Sequence, residues 1–495
     1  MPRQSGISVP LFALASTRSW GIGEFPDLAA FSRWAAEAGQ SVLQILPINE
    51  MPPVERSPYS AMSAMALDPI YISLPQMVDF AGLGGELAMD AADAAALQAL
   101  RRSARVQYVE VRRFKDRWLR RSFERFVRLE VSRGSPRAHR FEAFIANEAS
   151  WLDEYAVFRA LHALHEELPW HRWPEAFARA EPAAVEAARR TLHAEIRYRI
   201  YLQWIAAEQW TDAKRLARPI HIFGDLPFMN SADSPDVWAR QPEFRFDATI
   251  GVPPDAFSET GQDWGLPPWR WDVMAATDFA WMRARARRYA RLYDGFRIDH
   301  LVGLYRMYLR PIDKAVPAFF EPGDEATQIR LGETMIGVLG SGSPSPVLIA
   351  EDLGVIPSFV RESMVRLDLP GLKVLRWERH WDRPDHPAIA PIEFPECSVA
   401  TTGTHDIEPL AATDEGATDG QRAAVLQLLL SSGSRLTLLP LQDVFGWTER
   451  INTPAVVDEI NWTWRLPWPV DTWLDGSHTV EPANRLRTWT RAAGR

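Results

Sequence analysis

The sequence predicts an α/β protein built on a (β/α)8 TIM barrel, and three observations carry that prediction. Short apolar runs with strand character alternate with helix-like segments, the pattern of a parallel sheet. Eight such runs occur along the 495 residues, which suits a closed barrel better than an open sheet. Three of them end at or shortly before an acidic residue: Asp299 in DGFRIDH, Glu351 in VLIAEDLG and Asp406 in VATTGTHD. The C-terminal ends of barrel strands are where this fold keeps its chemistry.

In chain order the strand-like runs are 41–48 (SVLQILPI), 70–74, 221–228 (HIFGDLPF), 295–300, 347–354, 372–377 (LKVLRW), 398–402 and 444–447. Helical spacing of apolar residues lies between most of them, as over 28–38 and 280–292. A barrel of this kind typically takes about 250 residues, so the surplus must lie in insertions. From 83 to 218 the chain is rich in Ala, Arg, Glu and Leu and poor in strand formers, which predicts a helical insertion between barrel strands 2 and 3. The stretch 229–273 is rich in Pro, Trp and Asp and reads as a loop subdomain at the rim, between strands 3 and 4. The expected organisation is therefore 1–82 as the first part of the barrel, 83–218 as the insertion, and 219–495 as the rest of the barrel.

Composition removes several function classes. A net charge of −9 argues against a general nucleic-acid binder. The basic stretch 101–133 is interleaved with Glu110, Asp116, Glu124 and Glu130 at helical spacings and reads as a solvated helix face. No apolar run approaches the roughly 18 residues of a membrane span. The segment SVPLFALAS is short and interrupted by Pro10, so it makes a poor export signal, and a cytoplasmic protein is expected. One cysteine, Cys397, excludes an internal disulfide framework and suits a reducing compartment. GSGSPSP at 340–346 precedes a strand rather than a helix, so it is no phosphate loop. No Cys/His spacing points to zinc, and neither metal nor cofactor is expected. The 21 tryptophans suit stacking on sugar rings, although cores use tryptophan as well.

The acids carry the chemistry. In a strand, residues i and i+2 face one side, so Arg297 and Asp299 point together. A guanidinium there favours an ionised aspartate able to attack an anomeric carbon. The same pair also fits a purely structural clasp at a barrel rim. Glu351 can serve as a general acid if its surroundings raise its pKa. Its neighbour Asp352 better suits a helix cap. Asp406 beside His405 can bind sugar hydroxyls and favour a distorted ring, or simply clasp a loop. Two carboxylates facing one glycosidic bond are the minimum equipment for glycoside cleavage or transfer. The spacing assigns the three acids to barrel strands 4, 5 and 7.

Ordered motifs then tie the chain to a known family. They run WGIGEFPDLAAF (20–31), QILPI, SPYSAMSAMALDP (57–69), GDLPF, DSPDVWA (233–239), GVPPDAFSETGQDWG (251–265), GFRIDH, IAEDLG, PGLKVL, TGTHD, LQD and RINTP with NWTWRL. In content and order this series resembles the amylomaltase (disproportionating enzyme) family of 4-α-glucanotransferases, glycoside hydrolase family 77. The resemblance spans nearly the whole chain apart from the helical insertion.

The resemblance implies roles for individual residues. Asp299 matches the nucleophile, Glu351 the acid/base and Asp406 the transition-state stabiliser. Arg297, His300 and His405 match donor-sugar contacts. Tyr59 matches an aromatic platform, with Ser57 beside it. Asp233, Trp264 and Asn461 match further sugar contacts, and Phe257 a loop that covers the cleft. The implied reaction is retaining transfer of α-1,4-glucan segments between maltodextrin donors and acceptors, with glucose or maltose among the acceptors. A hydrolase of the same glucans, or a non-catalytic glucan binder, shares the same scaffold. The chain leaves the family pattern at 407–409, where Ile-Glu-Pro replaces Asn-Asp-Thr. It departs again at 301–304, where Leu-Val-Gly-Leu replaces a Phe-Arg-Gly-Phe-like run, and at 49–56.

Overall fold

In the computed structural model, which describes residues 3–254, 261–413, 416–454, 456 and 458–495, eight parallel strands close a barrel. The strands are β1 (Gln4–Ser8), β2 (Val42–Gln44), β3 (His221–Leu226), β4 (Gly295–Ile298), β5 (Val347–Ala350), β6 (Gly371–Val374), β7 (Ser398–Thr401) and β8 (Leu436–Pro440). Each pairs with its neighbours in chain order, and β1 closes on β8 with Gly6 opposite Leu438.

Two of the strand-like runs are not strands. The run 70–74 forms 3-10 turns, Pro69–Tyr71 and Leu74–Gln76. The flanking prolines remove ladder donors. The carbonyls of Ile70 and Ile72 accept from the Lys115 ammonium at 2.7 and 2.8 Å instead of from a strand. The run 444–447 falls at the end of a short helix, Leu441–Phe445; the true eighth strand is the preceding LTLLP, stopped by Pro440. The first strand, QSGIS, is too short and polar to stand out, and its extended form comes from pairing on both sides. The count of eight and the placement of the acids after strands 4, 5 and 7 hold, because one strand was missed before β2 and one was wrongly read after it.

Between β2 and β3 the chain is helical, with long members Tyr108–Leu129, Leu152–Leu164 and His193–Ala217. The last packs on both Leu152–Leu164 and the barrel helix Asp27–Glu37. The basic helix Tyr108–Leu129 has a solvated face with the i,i+4 pair Asp116–Arg120 at 2.9 Å. Two of its basic residues lie on the other, buried face: Lys115 is buried against Glu24 at 2.7 Å, and Arg112 grips Asp68 at 2.8 and 2.6 Å. After β3, strands Ala248–Val252 and Gln262–Leu266 join Met307–Pro311 and Phe319–Glu321, from beyond β4, in an antiparallel sheet. Pairing of chain segments from either side of β4 creates regular structure where the sequence alone shows a loop.

The barrel interior is filled by Val42, Phe223, Ile349, Leu372, Val399, Leu436 and Leu438. Strand alternation sends the residue two places further along to the same side, one layer nearer the C-terminal mouth. That rule takes Phe223 to Asp225 and Ile349 to Glu351. On β4 it takes Gly295 to Arg297 and on to Asp299. The apolar floor and the polar mouth are thus successive layers of the same strands.

Candidate functional site

Arg297 is the centre of the mouth. It lies opposite Asp225 in the β3–β4 register and is almost wholly buried. Its Nη1 is 2.8 Å from Asp225 and 2.9 Å from Asp299, and its Nη2 is 4.0 Å from Glu351. One guanidinium therefore faces three carboxylates, and in a desolvated site its charge offsets much of their mutual repulsion.

Glu351 follows β5 directly. Its backbone N–H donates to Ile298 and its Oε2 accepts from the His300 N–H at 2.8 Å. Burial pushes its carboxyl up to about 7; Arg297 opposes the shift and Asp299 adds to it. A carboxyl there is partly protonated near neutrality, as a proton donor requires. His300 holds a left-handed backbone (φ 46°), an uncommon conformation for a non-glycine residue that turns its N–H onto Glu351. Burial drives its imidazole down to about 4, so it is neutral at pH 7 despite Asp299 beside it.

The loop after β7 supplies His405 and Asp406. Burial opposes charge on Asp406, yet His405 at 3.3 Å, the Asn452 amide at 2.6 Å and Arg297 hold it well below the usual carboxylate range. The Tyr59 ring stacks on His405, with centroids 4.9 Å apart and planes 19° apart. The Tyr59 hydroxyl donates to Asp225 at 2.7 Å. Trp264 meets the His300 ring edge-on at 4.9 Å. A cleft opens here, with Tyr59, Phe228, Trp264 and Asp299 among its lining. A more enclosed space lies beside it, bounded by Asp225, Arg297, Gln44 and His405.

The fold therefore brings Asp299, Glu351, Asp406, Arg297, His300, His405, Tyr59 and Trp264 to one mouth. Ser57 lies two residues from Tyr59, and its hydroxyl accepts from the Tyr59 N–H at 3.4 Å. Asp233 is engaged by the helical insertion: its carboxylate bonds His162 Nε2 at 2.9 Å and accepts from the Trp170 N–H at 3.0 Å. The Asn461 carboxamide is occupied with the backbone of Thr453 and Val456. Phe257 lies outside the described residues. Sequence reasoning missed Asp225, which the i,i+2 rule applied to Phe223 would have found. Burial lifts its carboxyl to about 6 against the pull of Arg297. It also gave no role to Arg450 and Asn452, although both lie in the RINTP motif at 450–454.

A parallel barrel whose mouth holds a protonatable glutamate and an arginine-bound aspartate, ringed by aromatic side chains, is a barrel enzyme for glycosidic bonds. Residues 9–471 match the profile of the glycoside hydrolase 77 family, described as 4-alpha-glucanotransferase. A 4-alpha-glucanotransferase of Synechocystis is 32% identical, over 96% of each chain. One from Chlamydia pneumoniae is 30% identical over 93% of this chain and 91% of its own. The amylomaltase of Streptococcus agalactiae, solved with acarbose, superposes with a TM-score of 0.84 at 26% identity, covering 100% of this chain and 99% of its own. The chain belongs to the glycoside hydrolase 77 family of 4-α-glucanotransferases.

Proposed function

We propose that Asp299, Glu351 and Asp406 carry out the family's retaining transfer on maltodextrins, and that Arg297 organises them. The observation that carries this reading is the single buried guanidinium spanning Asp299 and Glu351. In the first half, Asp299 attacks the anomeric carbon as its bond to the glycosidic oxygen breaks, and Glu351 gives that oxygen its proton. In the second, an acceptor hydroxyl loses its proton to Glu351 and displaces Asp299, so configuration is retained. Asp406, kept ionised, faces the positive charge that develops on the sugar ring. Tyr59 and Trp264 offer apolar faces to sugar rings in the cleft, and His300 and His405 offer ring nitrogens to hydroxyls. Ser57, Asp233, Asn461 and the loop bearing Phe257 complete the glucan contacts on the strength of the family resemblance. Maltodextrins, with glucose or maltose as acceptors, are the substrates proposed on the strength of the family resemblance.

Among the described residues no helix is long and apolar enough to cross a membrane. The lone Cys397 adds support for a reducing, cytoplasmic setting.

The test is incubation with maltotriose and separation of the products. Glucose plus a ladder of longer maltodextrins is expected from the wild type. Glucose and maltose alone would mean hydrolysis. Asp299→Ala is expected to lose at least about 10³-fold in turnover, since it removes the nucleophile. Wild-type rates from that variant would refute the assignment.

A further inference from the structure

Segment 407–409 departs from the family pattern, yet it keeps a carboxylate at its second position, Glu408. The Arg376 side chain, just beyond β6, ion-pairs with Glu408 through Nη1, and its Nη2 donates to the Glu408 carbonyl at 3.1 Å. From the other side, Arg450 Nη1 donates to Glu408 Oε2 at 3.4 Å. Glu408 thereby ties together the loops that follow β6, β7 and β8.

Arg450 reaches further. Its Nη2 donates to the Asp406 carbonyl at 2.8 Å and its Nε to the Asn452 carbonyl at 3.3 Å. Asn452 in turn donates its backbone N–H to the His405 carbonyl at 3.1 Å and its side-chain amide to Asp406 Oδ1 at 2.6 Å. The segment 450–452 therefore grips the backbone of both His405 and Asp406 as well as the Asp406 carboxylate. Arg376 and Arg450 carry like charges and converge on one carboxylate. Without it they repel, and Arg450, about a third exposed, can swing to water and release the Asp406 carbonyl.

We infer that Glu408 is a positioning residue for the transfer reaction, holding Asp406 in register with Asp299 and Glu351 through Arg450. This rests on the reading of Asp406 as the group that steadies the reacting sugar. Glu408 touches no reacting atom in this scheme; it acts on where Asp406 sits. Small misplacements of a group acting only in the transition state lower kcat more than they raise KM.

The experiment compares wild type, Glu408→Ala, Glu408→Asp, Arg450→Met and the double variant Glu408→Ala/Arg450→Met on maltotriose. Glu408→Ala is expected to lose about 10- to 100-fold in kcat with KM changed by less than about threefold. Glu408→Asp is expected to recover most of that loss. The double variant should be no slower than the worse single variant, because both act through one contact chain. The thermal midpoint of Glu408→Ala should stay near that of wild type, since partly exposed ion pairs add little stability. Wild-type kcat in Glu408→Ala would overturn the inference, as would a loss of activity that only tracks a lowered thermal midpoint. Additive losses in the double variant would also overturn it. A wild type inert on maltotriose would instead sink the functional reading on which the inference rests, and the inference with it.

Discussion

Glu351 shows how far one residue's behaviour depends on its neighbours. Its side chain is that of any glutamate, yet burial beside Asp299 lifts its carboxyl to about 7 while Arg297 restrains the rise. The first chemical step needs the protonated form. The kcat/KM for a donor is therefore expected to fall by about tenfold per pH unit once pH rises beyond about 7. Glu351→Gln is expected to cost about 10²–10⁴-fold and to abolish that alkaline limb. A limb that survives the substitution would assign it to another group. Because its carboxyl is raised, the folded state binds this proton more tightly than the unfolded chain does. Glu351 thus contributes relative stability below its ordinary value of 4.5, and that contribution is lost as pH climbs to about 7. Above pH 7 the Gln variant should melt higher than wild type, the exchange of stability for function expected of an active-site acid.

At the scale of elements, the helix Tyr108–Leu129 joins the insertion to the barrel. Lys115 is buried, ion-paired with Glu24 at 2.7 Å, and donates to the carbonyls of Ile70 and Ile72. The Tyr108 hydroxyl at its start donates to the Trp462 carbonyl at 2.9 Å, and Trp462 packs against both Tyr59 and His405. The insertion thus supports the rim from behind. Lys115→Met removes one partner of a buried pair and leaves the Glu24 charge, among the described residues, with only the Trp20 N–H at 3.0 Å and no cation, so unfolding free energy should drop by about 3–5 kcal/mol. Denaturant unfolding of the variant measures this; a change below about 1 kcal/mol would mean that Glu24 finds water or another donor. Element identity was legible where a run had room and no competing partner. The run 70–74 was misread as a strand because prolines and a distant lysine, rather than local propensity, decide where its carbonyls bond, and LTLLP was passed over for 444–447, which lies largely in the short helix that follows it.

At the scale of the molecule, closure depends on β1, the strand with the weakest local signal. A Cβ at Gly6 would sit 2.4 Å from the Val42 carbonyl oxygen, so only glycine permits β1 to lie this close to β2. Gly6→Val is expected to destabilise the fold by about 1–3 kcal/mol or more through overpacking, read as a lowered thermal midpoint and a reduced soluble yield. An unchanged midpoint would show that the barrel closes without tight β1–β2 packing.

What was readable from the chain alone is what local chemistry and period settle. The alternation of strands and helices announced a barrel. The i,i+2 relation placed Arg297 with Asp299, and ordered motifs put the chain in its family. The tertiary structure decided the rest, because it depends on groups far apart in sequence. Asp225 converges on Arg297 across a strand pair. His162 and Trp170 hold Asp233, and Arg376 and Arg450 meet at Glu408 from loops on either side of it. The raised carboxyl of Glu351 belongs to this second class, since burial and like charge exist only once the barrel has closed.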